Sequence, residues 1–276
     1  MGRQFSQLFL SDGLEVAVAG PTEAKGKKAQ RELGVRYIKD NKAAAMWAEL
    51  VIITVPIEKT AAVIKEIAPV MKEGSCLMDF TSVKVEPCKL MRELAPEGVQ
   101  VIGGHPVFGP SITDFKGENF ILCNVKSGDW LTWMETFLKS KGFSVTLATP
   151  EEHDEIMGVV QSLTHLMLFS AGKTLKDLKT DMGMSRKFAS PVYNLILDLV
   201  GRILAQDPKM YYQIQVNNKE AKRVRKAFLD SVKAFDSIVK TGDEAGFVKE
   251  AQDSAKAFGD VSESLKRTDR ILKEEL

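Results

Sequence analysis

Several things are scarce in this sequence of 276 residues, and each scarcity narrows what it can do. Histidine occurs three times, at His105, His153 and His165, so any imidazole with a role in acid–base chemistry is one of these. Cysteine also occurs three times, at Cys76, Cys88 and Cys123. An odd number without Cys-x-x-Cys spacing argues against a disulfide framework and a zinc site, and for a reducing, cytoplasmic setting. Net charge is almost missing: 38 basic side chains stand against 37 acidic ones, which leaves no basic surface of the kind that selects nucleic acid or an anionic membrane. No apolar run approaches the roughly 20 residues that cross a bilayer, and the start carries no signal-peptide pattern. What remains, 44% apolar and 27% charged residues, is the balance of a soluble globular protein with one large or two ordinary domains.

Strand-like and helix-like segments alternate through the first half. Residues 1–13 put Phe5, Leu8 and Phe9 at helical spacing and end on Asp12-Gly13, a helix C-terminus. Residues 15–20 (EVAVAG) read as a strand, 23–33 as a basic helix and 50–55 (LVIITV) as a strand buried on both faces. A helix over 57–71, a strand over 75–80, a helix over 87–94, strands over 99–102 and 119–124, a helix over 130–141 and a strand over 144–148 follow. That rhythm predicts an α/β, doubly wound dinucleotide-binding domain of the Rossmann type over residues 1–148, with its ligand at the carboxyl ends of the strands. Such a domain opens with a strand and a glycine-rich turn, whereas this chain starts inside the helix that follows them. Met1-Gly2-Arg3 looks like the tail of a G-x-G-x-x-G turn with Gly2 as its last glycine. The expectation is therefore a sheet whose first strand is missing, and a natural protein extending upstream by about ten residues.

From residue 149 to 276 the pattern is helical throughout and predicts an all-α domain. Thr149-Pro150-Glu151-Glu152 is a capping box with proline at the first helical position, opening a helix to about residue 175. On it Asp154, Gly158, Gln161, Ser162 and His165 recur at steps of three and four as a polar or small stripe. Buried polar groups need partners, so the stripe points to a ligand or a partner helix. His153 lies off the stripe and reads as a first-turn surface residue. A helix over 190–206 is nearly all apolar except for Asp198 and Arg202. Arg202 either pairs with Asp198 at i,i+4 or holds a substrate carboxylate, with Gly201 leaving room beside it. Two amphipathic helices over 218–240 and 242–272 complete a bundle suited to a dimer interface.

Catalytic features gather over residues 103–111, GGHPVFGPS. Pro106 and Pro110 each fix a φ angle, and Gly103, Gly104 and Gly109 allow turns closed to other residues, which predicts His105 on a stiffened loop leaving a sheet edge. An imidazole there can serve as a base near neutral pH. The alternative is a Gly/Pro turn with an incidental histidine.

Six ordered motifs are specific enough to suggest a family: MGRQF at 1–5, ITVPI at 53–57, DFTSVK at 79–84, GGHPVFGP at 103–110, QSLTH at 161–165 and SPVYNLILDLVGRILAQDP at 190–208. Together they resemble the prephenate dehydrogenases of tyrosine biosynthesis over essentially the whole chain apart from its beginning. The resemblance implies oxidative decarboxylation of prephenate to 4-hydroxyphenylpyruvate with hydride transfer to NAD(P)+; with the cysteine usage, the length and the helical bundle, the expectation is a cytoplasmic, monofunctional homodimer joined through the helical domain. The resemblance also implies that His105 takes the proton of the ring hydroxyl and that Ser82 orients it near the nicotinamide. His165, Arg202, Gln161 and Ser111 would contact substrate, Arg202 at a carboxylate. Gly2, Arg3, Thr22, Val55, Pro56 and Ser82 would contact the cofactor, and no metal is involved. Where NAD-specific members carry an acidic residue after the second strand, this chain has Gly20-Pro21-Thr22 followed by Lys25 and Lys27, which favours NADP. Ser111 stands where some members carry a glutamate. The competing readings are an arogenate dehydrogenase and, if Met1 is the true start, a non-catalytic homologue. A 3-hydroxyacid-type dehydrogenase would want a catalytic lysine that the SLTH and VGR motifs do not supply.

Overall fold

The computed structural model describes residues 1–109, 112–126 and 128–274. The chain forms two compact units, one of Met1–Met157 with Val216–Lys219 and one of Gly158–Gln215 with Glu220–Leu276.

The first unit alternates helix and strand in the order α1 (Gly2–Ser11), β1 (Ala17–Ala19), α2 (Glu23–Leu33), β2 (Arg36–Ile38), α3 (Asn41–Trp47), β3 (Leu50–Ile53), α4 (Ile57–Ile67), β4 (Cys76–Asp79), α5 (Val85–Leu94), β5 (Gln100–Pro106), β6 (Asn119–Lys126), α6 (Asp129–Ser140), β7 (Ser144–Ala148) and α7 (Pro150–Met157). β1 and β2 pair in parallel, and β3-β4-β5-β6-β7 form a second sheet in that spatial order. Every pair in the larger sheet is parallel except β5 with β6. This is the nucleotide-binding architecture expected from the alternating pattern. Among the described residues no ladder joins β1 to β3. Among the described residues no helix separates β5 from β6, and without a helical crossover a neighbouring strand returns antiparallel.

Both faces of the larger sheet are covered. On one side Cys76, Met78, Ile102, Phe120 and Leu122 pack with Phe5 and Phe9 of α1 and Met134, Phe137 and Leu138 of α6. On the other, Leu77, Val99 and Val101 pack with Ile64 and Ile67 of α4 and Cys88 and Met91 of α5. The alternation along β4 and β5 sends successive side chains to opposite cores, and the mean strand therefore reads as one apolar run. Cys76, Cys88 and Cys123 are free and buried. Burial pushes the thiols of Cys76 and Cys123 up to about 12 and raises that of Cys88 as well.

In the second unit π-helical turns over Gly158–Leu163 lead into α8 (Thr164–Asp177), followed by α9 (Met182–Lys187), α10 (Pro191–Leu204), α11 (Pro208–Asn217), α12 (Ala221–Thr241), α13 (Glu244–Phe258) and α14 (Val261–Glu274). Ser190 caps α10 by accepting from the Tyr193 amide, and Pro208 stands at the start of α11. The single helix expected over 242–272 is two, because Gly259 adopts a φ of 93° that helical residues do not take. Leu168, Val200, Ile203 and Tyr211 form a small core between α8, α10 and α11. Among the described residues no helix is long and apolar enough to cross a membrane.

Candidate active site

β4 is buried along its whole length and ends on a carboxylate, Asp79. A charge in such a place needs a partner, and Lys84 supplies it from the turn leading into α5, both side chains being 0% exposed. Asp79 Oδ2 accepts from the Thr81 amide at 2.9 Å, from the Thr81 hydroxyl and from Lys84 Nζ. Lys84 Nζ also donates to the Gly104 carbonyl at 2.8 Å, which ties the end of β4 to β5.

β5 does not stop at Ile102. It continues through Gly103, Gly104 and His105 to Pro106, with His105 opposite Ile121 of β6, so the histidine sits inside a strand and not on the loop that the glycines suggested. Neither Gly103 nor Gly104 has a positive φ. They are glycines because of crowding: a Cβ on Gly103 would lie 2.6 Å from Cys88 Sγ, and one on Gly104 would lie 2.4 Å from Met78 Cε and 2.9 Å from the Asp79 carbonyl.

His105 is 2% exposed. Its Nδ1 lies 2.7 Å from His153 Nε2, and His153 Nδ1 lies 2.8 Å from Asp154 Oδ1. His153 is thus no surface residue; it too is 2% exposed. The capping box forms as the sequence predicts, the Thr149 amide donating to Glu152 Oε2 at 2.7 Å and the Glu152 amide to Thr149 Oγ1 at 3.1 Å. The α7 so started packs on β6 and α5, which turns His153, Asp154 and Met157 inward. Asp154 accepts from the Lys84 and Val85 amides at 2.7 and 3.0 Å, a carboxylate at the positive end of α5. Burial holds His105 well below the ordinary imidazole range, with His153 and the Lys84 ammonium adding to the effect. Burial also lowers His153, Asp154 pulling the other way. Ser82 is half-buried on the turn between Thr81 and Val83. Ser111 lies outside the described residues.

The remaining residues expected at the cofactor lie at the ends of α1, β1 and β3 in the same unit. α1 has no side-chain cap and no acidic residue in its first turn, so its leading amides and the positive end of its dipole are open to an anion. A Cβ on Gly2 would lie 2.7 Å from Thr54 Oγ1, a closeness only glycine permits. These features fit the phosphates of a dinucleotide. Arg3 pairs with Glu32 at 2.5 Å. Thr22 precedes α2 in extended conformation, Val55 packs on the α4–α5 core, and Pro56 precedes α4. Of the lysines after β1, Lys27 pairs with Glu23 at 2.7 Å.

Along residues 156–167 the expected stripe is sorted by burial. Gly158 and Ser162 are buried and Gln161 and His165 half-buried, while Ile156, Val159, Val160 and Met167 are exposed. His165 Nδ1 has no hydrogen-bond partner among the described residues, and burial pushes the ring down to about 4. Tyr211 meets it edge-on, ring centroids 4.6 Å apart. Burial raises the Tyr211 hydroxyl, and the Arg202 guanidinium opposes the shift. Arg202 is exposed, and Asp198 pairs with Arg186 at 2.7 Å; the i,i+4 pair with Arg202 does not form. Tyr211, Lys84 and Asp79 escaped the site expected from sequence. For the last two a signal exists: a carboxylate ending an otherwise apolar strand, with a lysine five residues on.

Residues 8–147 match the model of the prephenate dehydrogenase nucleotide-binding domain, and residues 149–253 match that of the prephenate dehydrogenase dimerization domain. A probable arogenate/prephenate dehydrogenase of Methanocaldococcus jannaschii is 43% identical over 94% of this chain and 59% of its own length. A 4-amino-4-deoxyprephenate dehydrogenase of Streptomyces pristinaespiralis is 30% identical over 90% of this chain and 84% of its own. The crystal structure of an Aquifex aeolicus prephenate dehydrogenase in complex with hydroxyphenyl propionate and NAD+ superposes with a TM-score of 0.73 at 19% identity, covering 92% of this chain and 93% of that one. The chain spans between 56% and 59% of the length of the Methanocaldococcus protein and of two bacterial T-proteins.

Proposed function

This chain belongs to the prephenate dehydrogenase family, and from that premise we propose that it oxidises prephenate to 4-hydroxyphenylpyruvate and carbon dioxide with a nicotinamide dinucleotide. One observation carries the proposal: an imidazole, His105, is held at the carboxyl end of the nucleotide-binding sheet by partners that are themselves buried, and burial keeps it below the ordinary imidazole range. A neutral imidazole can take the proton of the ring hydroxyl as the carbon that bears it loses hydride. Bound dinucleotide supplies the hydride acceptor. The amides of the first turn of α1, with Gly2, Arg3, Thr22, Val55, Pro56 and Ser82, would hold it. Gly20-Pro21-Thr22 offers no carboxylate to a ribose, and Lys25 follows, which favours NADP over NAD. Arg202 would grip a substrate carboxylate through two parallel N–H donors. His165, Gln161 and Ser111 would line the rest of the substrate. We also propose that the helical unit joins two copies of the chain.

Arogenate is the second reading, since the Methanocaldococcus relative is named for both substrates; it differs from prephenate by an ammonium in place of a keto group. Nicotinamide reduction followed with each substrate and each cofactor separates the two. Prephenate with NADP+ is expected to give the highest turnover. His105→Asn is expected to lower that turnover by ~10² or more and leave dinucleotide affinity unchanged. Unchanged turnover in this variant removes His105 from the chemistry, and preference for arogenate replaces the substrate without touching the base.

A further inference from the structure

We propose that His153 and Asp154 are positioning residues that fix the tautomer of His105, so that Nδ1 carries its proton and Nε2 is the nitrogen that takes one up. The direction of the chain of hydrogen bonds follows from its far end. Asp154 Oδ1 accepts from the Lys84 amide and Oδ2 from the Val85 amide, so the carboxylate faces its neighbours as an acceptor. The ring nitrogen opposite Oδ1, His153 Nδ1, therefore donates. A neutral imidazole has one donor and one acceptor nitrogen, so His153 Nε2 accepts, and the atom 2.7 Å from it, His105 Nδ1, must donate. That leaves the lone pair of His105 on Nε2.

The charged groups packed around the two rings agree with this direction. Lys84 Nζ, on the turn before α5, donates to Asp79 at the end of β4 and to the Gly104 carbonyl of β5, so it does not compete as a donor to His153. Both rings are kept neutral by burial. When a proton reaches His105 Nε2, the Nδ1–H bond to His153 becomes charge-assisted, and the Asp154 carboxylate lies at the other end of the line. The arrangement thus sets the nitrogen before the reaction and stabilises the cation after it.

This inference rests on the reading of His105 as the base, yet the tautomer can be measured without substrate. Nitrogen-15 spectra of the three histidines distinguish the two neutral tautomers, His105→Asn identifying the signals. The unaltered protein is expected to show His105 protonated on Nδ1. His153→Leu removes the acceptor and is expected to move the proton to Nε2 and lower turnover by ~10². His153→Gln, whose Oε1 can accept from His105 while Nε2 donates to Asp154, is expected to keep the Nδ1–H signature and most of the turnover. A proton on Nε2 in the unaltered protein overturns the proposal, as does an unchanged Nδ1–H signature in the leucine variant. If the leucine variant does not fold, the spectra of the unaltered and glutamine proteins decide. Full turnover in His105→Asn would instead remove the base while leaving the tautomer result standing.

Discussion

A half-buried imidazole that stays neutral makes a fold sensitive to acid. His165 is pushed from 6.5 down to about 4, so between those values the unfolded chain binds a proton that the folded chain refuses. Stability then falls as pH drops through that window, and above 6.5 the residue imposes no penalty. The melting temperature is expected to decrease from pH 7 to pH 5, and His165→Gln to decrease less over the same interval; equal decreases would show that His165 does not carry this share. The Asp79–Lys84 pair works differently. Removing one member of such a pair costs about 3 to 5 kcal/mol, because the other is left charged in the core. His105 could be picked out from sequence because an imidazole among glycines and prolines is unusual. His153 could not: its partners are 48 residues away and next door, and helical periodicity alone does not say which face of a first turn is covered.

The register of β5 against β4 depends on two positions having no side chain. Gly104→Ala would put a Cβ 2.9 Å from the backbone carbonyl of Asp79, and a carbonyl cannot swing aside as a methionine tip can. Overpacking of this sort costs about 1 to 3 kcal/mol, and here the strain falls on the residue before His105. Chemical denaturation is expected to show that loss, with lower turnover. Gly201→Ala in α10, where nothing lies within 4 Å, is expected to leave stability unchanged or slightly raised. Equal stability of the two variants would mean that β4 and β5 tolerate a wider spacing. Long elements and the capping box were legible in the sequence because periodicity and side-chain capping are local. β2 and α3, of three and seven residues, are too short to show a period, and the strand reading of β5 ended early because glycine and proline look like punctuation wherever they fall.

The two units differ in how much apolar surface they cover. In the helical unit Phe188 is 83% exposed, and Leu178 and Phe258 are also among the most exposed large side chains. Exposed apolar side chains of this kind are what the proposed pairing of two copies would cover, and the family model matched there is a dimerization domain. Sedimentation equilibrium is expected to return twice the mass of one chain at micromolar concentration; a single-chain mass would overturn the proposed pairing. The α/β-then-α plan was legible from the change of rhythm at residue 149, whereas the antiparallel β6 needed the length and composition of the segment before it to be weighed. The three thiols have a practical use. All belong to the nucleotide-binding unit, at Cys76, Cys88 and Cys123, and all are shielded and reluctant to ionise. An alkylating reagent added to the native protein should therefore label it only when that half opens, a chemical stopwatch blind to whatever the helices do.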